Sequence, residues 1–157
     1  MNNKSVTVCF SGHRILKDPK EEIEAKLEAA IRQCIGSGSE VFMTGGAIGF
    51  DTLAARMVIK LREEYPHIQL VLALPCLAEE QTLKWTTKQK EEYRQIIDQA
   101  DDVRILSNTY TDTCMLDRNV YMVDNSSRII YYLRYNRGGT KHTVKYAQRQ
   151  GIKMISI

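Results

Sequence analysis

Apolar and polar positions follow two alternating periods along this chain. Short β-rich apolar runs occur at SVTVCF (5–10), EVFMT (40–44), IQLVLAL (68–74), DVRIL (102–106), RIIYYL (128–133) and KMISI (153–157). Most are nearly continuous in apolar character, which predicts strands covered on both faces. Between them the period lengthens to that of a helix. Residues 19–35 are amphipathic, with Asp18-Pro19 predicted as N-cap and first-turn proline, Glu21 as the capping-box carboxylate, and Gly36 and Gly38 at the end. A second helix is predicted over 50–64, stopped by Tyr65-Pro66. Further helices are predicted over 87–100, 115–125 and 140–150, the last closed by Gly151.

Strand–helix alternation of this kind joins parallel strands through right-handed crossovers. The predicted fold class is therefore α/β: a three-layer Rossmann-like sandwich around a mostly parallel central sheet of about six strands. No internal repeat, low-complexity run or Pro/Gly-rich linker interrupts the 157 residues, so residues 1–157 are expected to form one domain.

Composition narrows the classes without choosing among them. Hydrophobic content of 43% and charged content of 26% suit an ordinary globular protein. The net charge of +3 suits an anionic small ligand and is too small to imply nucleic acid by itself. No apolar run approaches the roughly 20 residues of a membrane span, and MNNKSVTVCF lacks the apolar core of a signal peptide. Cys9, Cys34, Cys76 and Cys114 have neither zinc-knuckle nor CxxC spacing. They are expected to be buried free thiols in a reducing cytoplasm, with no metal and no resident cofactor.

In a doubly wound sheet, ligands bind outside the carboxyl ends of the strands. Four strand-ending loops carry unusual composition. In SGHR, Ser11 and Gly12 end a strand and two potentially cationic side chains, His13 and Arg14, follow; Gly12 lets a ligand approach, and Arg14 is suited to bidentate phosphate contact. A tight turn with a solvated arginine is the plainer alternative. In TGGAIGFD, the helix starts almost directly after the strand, so its unpaired N–H groups and dipole favour an anion. Gly45 and Gly46 would admit phosphate oxygens, and Gly49 would allow close helix–sheet packing. Asp51 either orients a ribose hydroxyl or stabilises the first helical turn. The pattern is neither GxGxxG nor GxxxxGK[ST]. In the stretch 74–85, Gln81 and Trp85 are rim candidates, with packing the plainer role for the tryptophan. Finally, Asp117, Arg118 and Asn119 cluster at a helix start, where an arginine opposes the dipole. Gly138-Gly139-Thr140 opens the last helix as a second phosphate cradle.

These residues carry a resemblance. TGGAIGFDTLAAR (44–56) resembles the SGxARGIDxxAH segment of the DNA-processing branch of the SLOG superfamily, which is named after its Smf/DprA and LOG branches. DRNVYMVDNSS (117–127) resembles its RNRxIxxxS segment, and GGTKHTVKYA (138–147) its SGSxxTAxxA segment. The short layout, with SGHR, LPC…Q…W and DRNxYMVDNS, looks most like the YpsA/YoqJ-like bacterial and phage proteins. The resemblance implies a Rossmann-like pocket for nucleotides or nucleotide-derived ligands. The LOG branch hydrolyses the N-glycosidic bond of cytokinin nucleoside monophosphates, with an arginine and a glutamate. Arg118 matches the arginine position. Val144 and Lys145 occupy the neighbourhood of the glutamate, so such chemistry would need Asp117 or Asp51 in its place.

The leading expectation is a sensor or regulatory protein that binds a nucleotide-like small molecule, such as ADP-ribose, NAD or a nucleoside phosphate. Its pocket would comprise Ser11, Gly12, Arg14, Gly45, Gly46, Gly49, Asp51, Arg118, Gly138, Gly139 and Thr140. The enzyme alternative is a nucleotide N-glycosidic hydrolase, with Arg118 and Asp117 as the weak catalytic candidates. The third alternative is single-stranded DNA binding, with Tyr131, Tyr132 and Tyr135 as stacking candidates. Homo-oligomers are common in the superfamily, but the sequence identifies no interface. No membrane partner is expected.

Overall fold

The computed structural model describes residues 3–77 and 81–157. After a single 3-10 turn over Lys4–Val6, the strands are β1 (Thr7–Gly12), β2 (Val41–Thr44), β3 (Gln69–Leu74), β4 (Asp102–Ile105), β5 (Arg128–Tyr132) and β6 (Lys153–Ser156). The helices are α1 (Lys20–Gly36), α2 (Phe50–Glu64), α3 (Thr87–Gln99), α4 (Cys114–Asp124) and α5 (Gly139–Gln150). The six strands form one sheet in the order β4-β3-β2-β1-β5-β6, and every adjacent pair is parallel. This is the Rossmann-like α/β architecture that the periodicity predicts.

Side-chain alternation sorts the core into two layers. Val8 and Phe10 of β1, with Ile130 and Tyr132 of β5, pack against α1, α2 and α3. Cys9, Met43, Val71 and Ile129 point the other way and pack against Met122 and Val123 of α4 and Ala147 of α5. Pairing of Cys9 with Ile129 and of Phe10 with Ile130 keeps both sets in register. A one-residue slip would send each set to the wrong layer.

Two local expectations are corrected. The first strand begins at Thr7 rather than at Ser5, because Lys4–Val6 close the 3-10 turn. Asp18 does not cap α1: Pro19 is the N-cap and no side chain caps the helix. Asp18 instead accepts hydrogen bonds from the Tyr132 hydroxyl and from Arg134 Nε, at 2.7 Å for the latter. These contacts pull its carboxyl below the usual range and tie the approach to α1 to the end of β5. At α3 a capping box does form, between Thr86 and Gln89.

All four cysteines are buried. Among the described residues, no helix is long and apolar enough to cross a membrane.

Candidate functional site

The strand order reverses between β1 and β5. The chain leaves β1 toward the α1–α3 layer and leaves β5 toward α5 on the opposite face, so the two loops part and a crevice opens. A cleft of about 480 Å³ occupies this point. Its walls come from Ser11 to Ile15 after β1, from Ala47 and Asp51 around the start of α2, from Met115, Arg118 and Asn119 of α4, and from Tyr135 and Arg137 to Thr140 after β5.

Arg118 is the central cation of the cleft, only 5% exposed. Its Nε donates to Asn119 Oδ1 at 2.8 Å, and its Nη1 donates to the carbonyls of Gly45 and, at 3.4 Å, of Ala73. Among the described residues Nη2 meets only Met115 Sδ, at 3.7 Å, a weak acceptor. Among the described residues no carboxylate lies within ion-pair distance of it, since every bridge formed involves other residues. Burial lowers the guanidinium pKa, and the field of Asp51 opposes that shift. A buried cation held by neutral acceptors favours an added anion.

Asp51 is the one acidic side chain among the described residues of the cleft wall. It is 6% exposed, and its Oδ2 accepts the Ala47 N–H at 3.2 Å. Burial raises its pKa, against the pull of Arg118, the Ala47 N–H and Arg14.

Opposite Arg118, α5 begins without a side-chain cap. Gly138 is its N-cap at φ +88°, a conformation that favours glycine. The helix's first backbone bond runs from His142 N–H to Gly138 O, so the N–H groups of Gly139, Thr140 and Lys141 precede the intrahelical ladder. A Cβ added at Gly138 would meet nothing within 4 Å. Arg137 and Arg14, both exposed, flank this opening.

The turn before α2 is built differently. A Cβ at Gly45 would collide with the Arg118 guanidinium, and one at Gly49 with the backbone of Arg14. The Phe50 N–H already donates to His13 O at 3.1 Å. Gly46 and Gly49 line a smaller adjacent depression, and Gly45 is absent from the cleft wall. The structure thus brings Ser11, Gly12, Arg14, Asp51, Arg118, Gly138, Gly139 and Thr140 to one cleft and leaves Gly45, Gly46 and Gly49 behind it. Asp117 is exposed, accepts from the Thr113 hydroxyl at 3.1 Å, and lies outside the cleft. Val144 is buried under α5 and Lys145 is exposed on it.

His13 does not act as a cation. Its Nε2 accepts the N–H of Arg134 at 2.9 Å and of Tyr135 at 3.4 Å, and its ring stacks on Tyr135 at 3.7 Å. Burial, then the charges of Arg134 and Lys17, lower its pKa. It fastens the loop after β5 to the loop after β1. Tyr132 is fully buried against Phe50 and Tyr131 sits in β5, which leaves Tyr135 as the tyrosine at the cleft. Sequence reasoning did not place Asn119 and Arg137 in the pocket. Their signals were adjacency to Arg118 and to the Gly-Gly pair.

The model of the YspA SLOG family matches residues 15–155. The chain is 28% identical over 141 residues to the uncharacterised SPbeta prophage-derived protein YoqJ of Bacillus subtilis, covering 82% of this chain and 81% of that one. It is 32% identical over 120 residues to a UPF0398 protein of Halalkalibacterium halodurans, covering 75% of this chain and 62% of the relative. Among solved structures it resembles DNA processing protein A of Streptococcus pneumoniae, with TM-score 0.67 and 15% identity, covering 96% of this chain and 49% of that protein. It also resembles DNA processing protein A of Helicobacter pylori, described for its single-stranded DNA binding mode, with TM-score 0.66 and 16% identity, covering 96% and 64%. At these identities the likeness to both structures is one of fold.

Proposed function

The chain belongs to the YspA SLOG family, and we propose that its switch-point cleft binds a nucleotide or nucleotide-derived anion, such as ADP-ribose, NAD or a nucleoside phosphate, in a sensor or regulatory role. The observation that carries this reading is that two positive features line one cleft. The buried Arg118 guanidinium offers Nη2, and the uncapped start of α5 offers the N–H groups of Gly139, Thr140 and Lys141. A phosphate between them gains charge-assisted hydrogen bonds from both sides. Arg14 and Arg137 at the mouth add attraction. Asp51 faces the same space and accepts a hydrogen bond from a sugar hydroxyl.

The test is thermal shift followed by calorimetric titration with nucleoside mono- and diphosphates, ADP-ribose and NAD. A ligand at 100 times its Kd stabilises the fold by about 2.7 kcal/mol. Arg137→Ala and Arg14→Ala alter exposed side chains, so loss of affinity in them reads the cleft and not the fold. We expect the hit to weaken at least tenfold in the double variant. Equal affinity in wild type and double variant would refute the assignment of these arginines to the anion.

A hydrolytic reading of the same cleft has one supporting feature. Asp51 is a buried carboxyl of raised pKa near the anion site, the state a general acid requires. Release of free base from a nucleotide panel supports it; ligand bound without release retires it.

A further inference from the structure

Beside the anion cleft lies a second one of about 500 Å³, walled by Leu83, Trp85 and Tyr110 with Gln81 at its wall. Arg14 and Met115 line both clefts, so the two meet at a shared wall. Each lies within the volume range of small-molecule sites.

Gln81 is the unusual residue here. It is 6% exposed. Its Oε1 accepts the Tyr93 hydroxyl at 2.8 Å, while its Nε2 is buried without a hydrogen-bond partner among the described residues. A buried, unsatisfied amide N–H is costly, and native structures seldom keep one without cause. Tyr93 is itself buried and fixes the amide from behind. The neighbouring walls combine apolar and aromatic side chains with Arg14, Lys84 and Gln89. Trp85 packs at 5.1 Å against Tyr93, and Tyr110 is 55% exposed at the mouth. Among the described residues the lining contains no carboxylate. A fixed donor beside aromatic faces fits a planar ring with an acceptor on its edge.

We propose that this second cleft receives the base of the nucleotide whose phosphate occupies the switch-point cleft, with Trp85 and Tyr110 contacting the ring and Gln81 Nε2 donating to an acceptor on its edge. The inference rests on the function proposed above. It assigns base selection to residues 81–85 and the loop before α4, while anion binding belongs to the loops after β1 and β5.

Trp85 is the sole tryptophan of the chain, so its emission reports on the surroundings of this one side chain, which lines this cleft and the depression beside Gly46 and Gly49. The protein is titrated with AMP, GMP, UMP, CMP and the baseless ribose 5-phosphate, following heat and Trp85 emission together. The expected result is quenching by at least one nucleotide and none by ribose 5-phosphate, with the nucleotide bound more tightly. Tyr110→Ala, at an exposed position, is expected to weaken that nucleotide roughly 5- to 150-fold, the range of a lost stacking contact, and to leave ribose 5-phosphate unchanged. Gln81→Met, similar in volume, is expected to flatten the preference among bases. Nucleotides that bind no better than ribose 5-phosphate, with silent emission and an unaffected Tyr110→Ala, would overturn the base cleft and leave the anion cleft standing. Failure of all five compounds to bind would overturn both.

Discussion

Two strand-to-helix turns of this protein look alike in sequence and differ in what fills them. TGGAIG before α2 and RGGT before α5 both place glycines where a chain passes from a strand into a helix at the carboxyl edge of the sheet. In the first, the space freed by the missing side chains is taken by the protein itself. The Arg118 guanidinium lies on Gly45, the Arg14 backbone lies on Gly49, and Leu74 and Tyr93 close on Gly46. In the second, nothing stands within 4 Å of a Cβ at Gly138, and Asn119 Nδ2 is 3.9 Å from one at Gly139. A glycine records that something approaches the backbone and does not record whether the visitor is a ligand or a neighbour. The first turn is a seat for Arg118; the second faces the cleft that Arg118 lines.

Substitution at equivalent places should separate the turns most sharply. Gly49→Ala forces a side chain into φ +80° and into the Arg14 backbone, and is expected to cost about 3–5 kcal/mol in chemical denaturation. Gly139→Ala, at negative φ with open space around it, should stay within about 0.5 kcal/mol of wild type. Equal losses would mean that the second turn is as tightly packed as the first. Next in size, Arg118→Ala leaves the buried carbonyls of Gly45 and Ala73 without this donor and should cost about 2–4 kcal/mol. An unfolding titration without ligand checks it. A loss near zero would remove Arg118 as the seat of the first turn.

The contrast also explains how much was legible. The sheet, its parallel sense and its five helices followed from periodicity, because strands buried on both faces and amphipathic helices leave long-range patterns. Arg118 was legible as an anomaly, a cation at the wrong end of a helix dipole. Its partners were not, since Gly45 and Ala73 lie 73 and 45 residues away and offer only backbone carbonyls, which every residue has. Asp18 was misread for a related reason. Its position before Pro19 has the local signature of a cap, but Tyr132 and Arg134, more than 100 residues downstream, take its carboxylate. His13 beside Arg14 suggested a second cation, until the loop after β5 supplied two N–H donors to its ring nitrogen.

Asp51, at the start of α2, gives a pH-dependent test of the first turn. Its carboxyl pKa is raised by burial. An acid whose folded pKa exceeds its unfolded value stabilises the fold below the unfolded pKa of about 3.9, and that contribution is lost as pH rises through the folded pKa. Ionised Asp51 is therefore a net cost at neutral pH. Asp51→Asn, whose amide oxygen still accepts the Ala47 N–H, should be more stable than wild type at pH 7, with the gain shrinking toward pH 4. A less stable variant at pH 7 would show that attraction to Arg118 outweighs burial.

The smallest expected effect concerns the second turn and its fastening. His13 holds the N–H groups of Arg134 and Tyr135 through Nε2, three residues before the Gly138-Gly139 pair. The ring faces Tyr132 and stacks on Tyr135, while the positive charges of Arg134 and Lys17 act on it. Burial and those charges depress its pKa. For a base, a depressed folded pKa means stability present above the unfolded value of about 6.5 and lost as pH falls through the folded value. Protonation turns Nε2 from acceptor to donor and breaks both bonds at once. Hydrogen exchange of the Arg134 and Tyr135 amides, corrected for intrinsic rate, should therefore quicken between pH 7 and pH 5 while that of Phe10 in β1 stays constant. Anion affinity in the cleft should weaken over the same interval as the loop that presents α5 loosens. Unchanged protection of both amides would separate His13 from the second turn and leave Gly138 positioned by its own backbone alone.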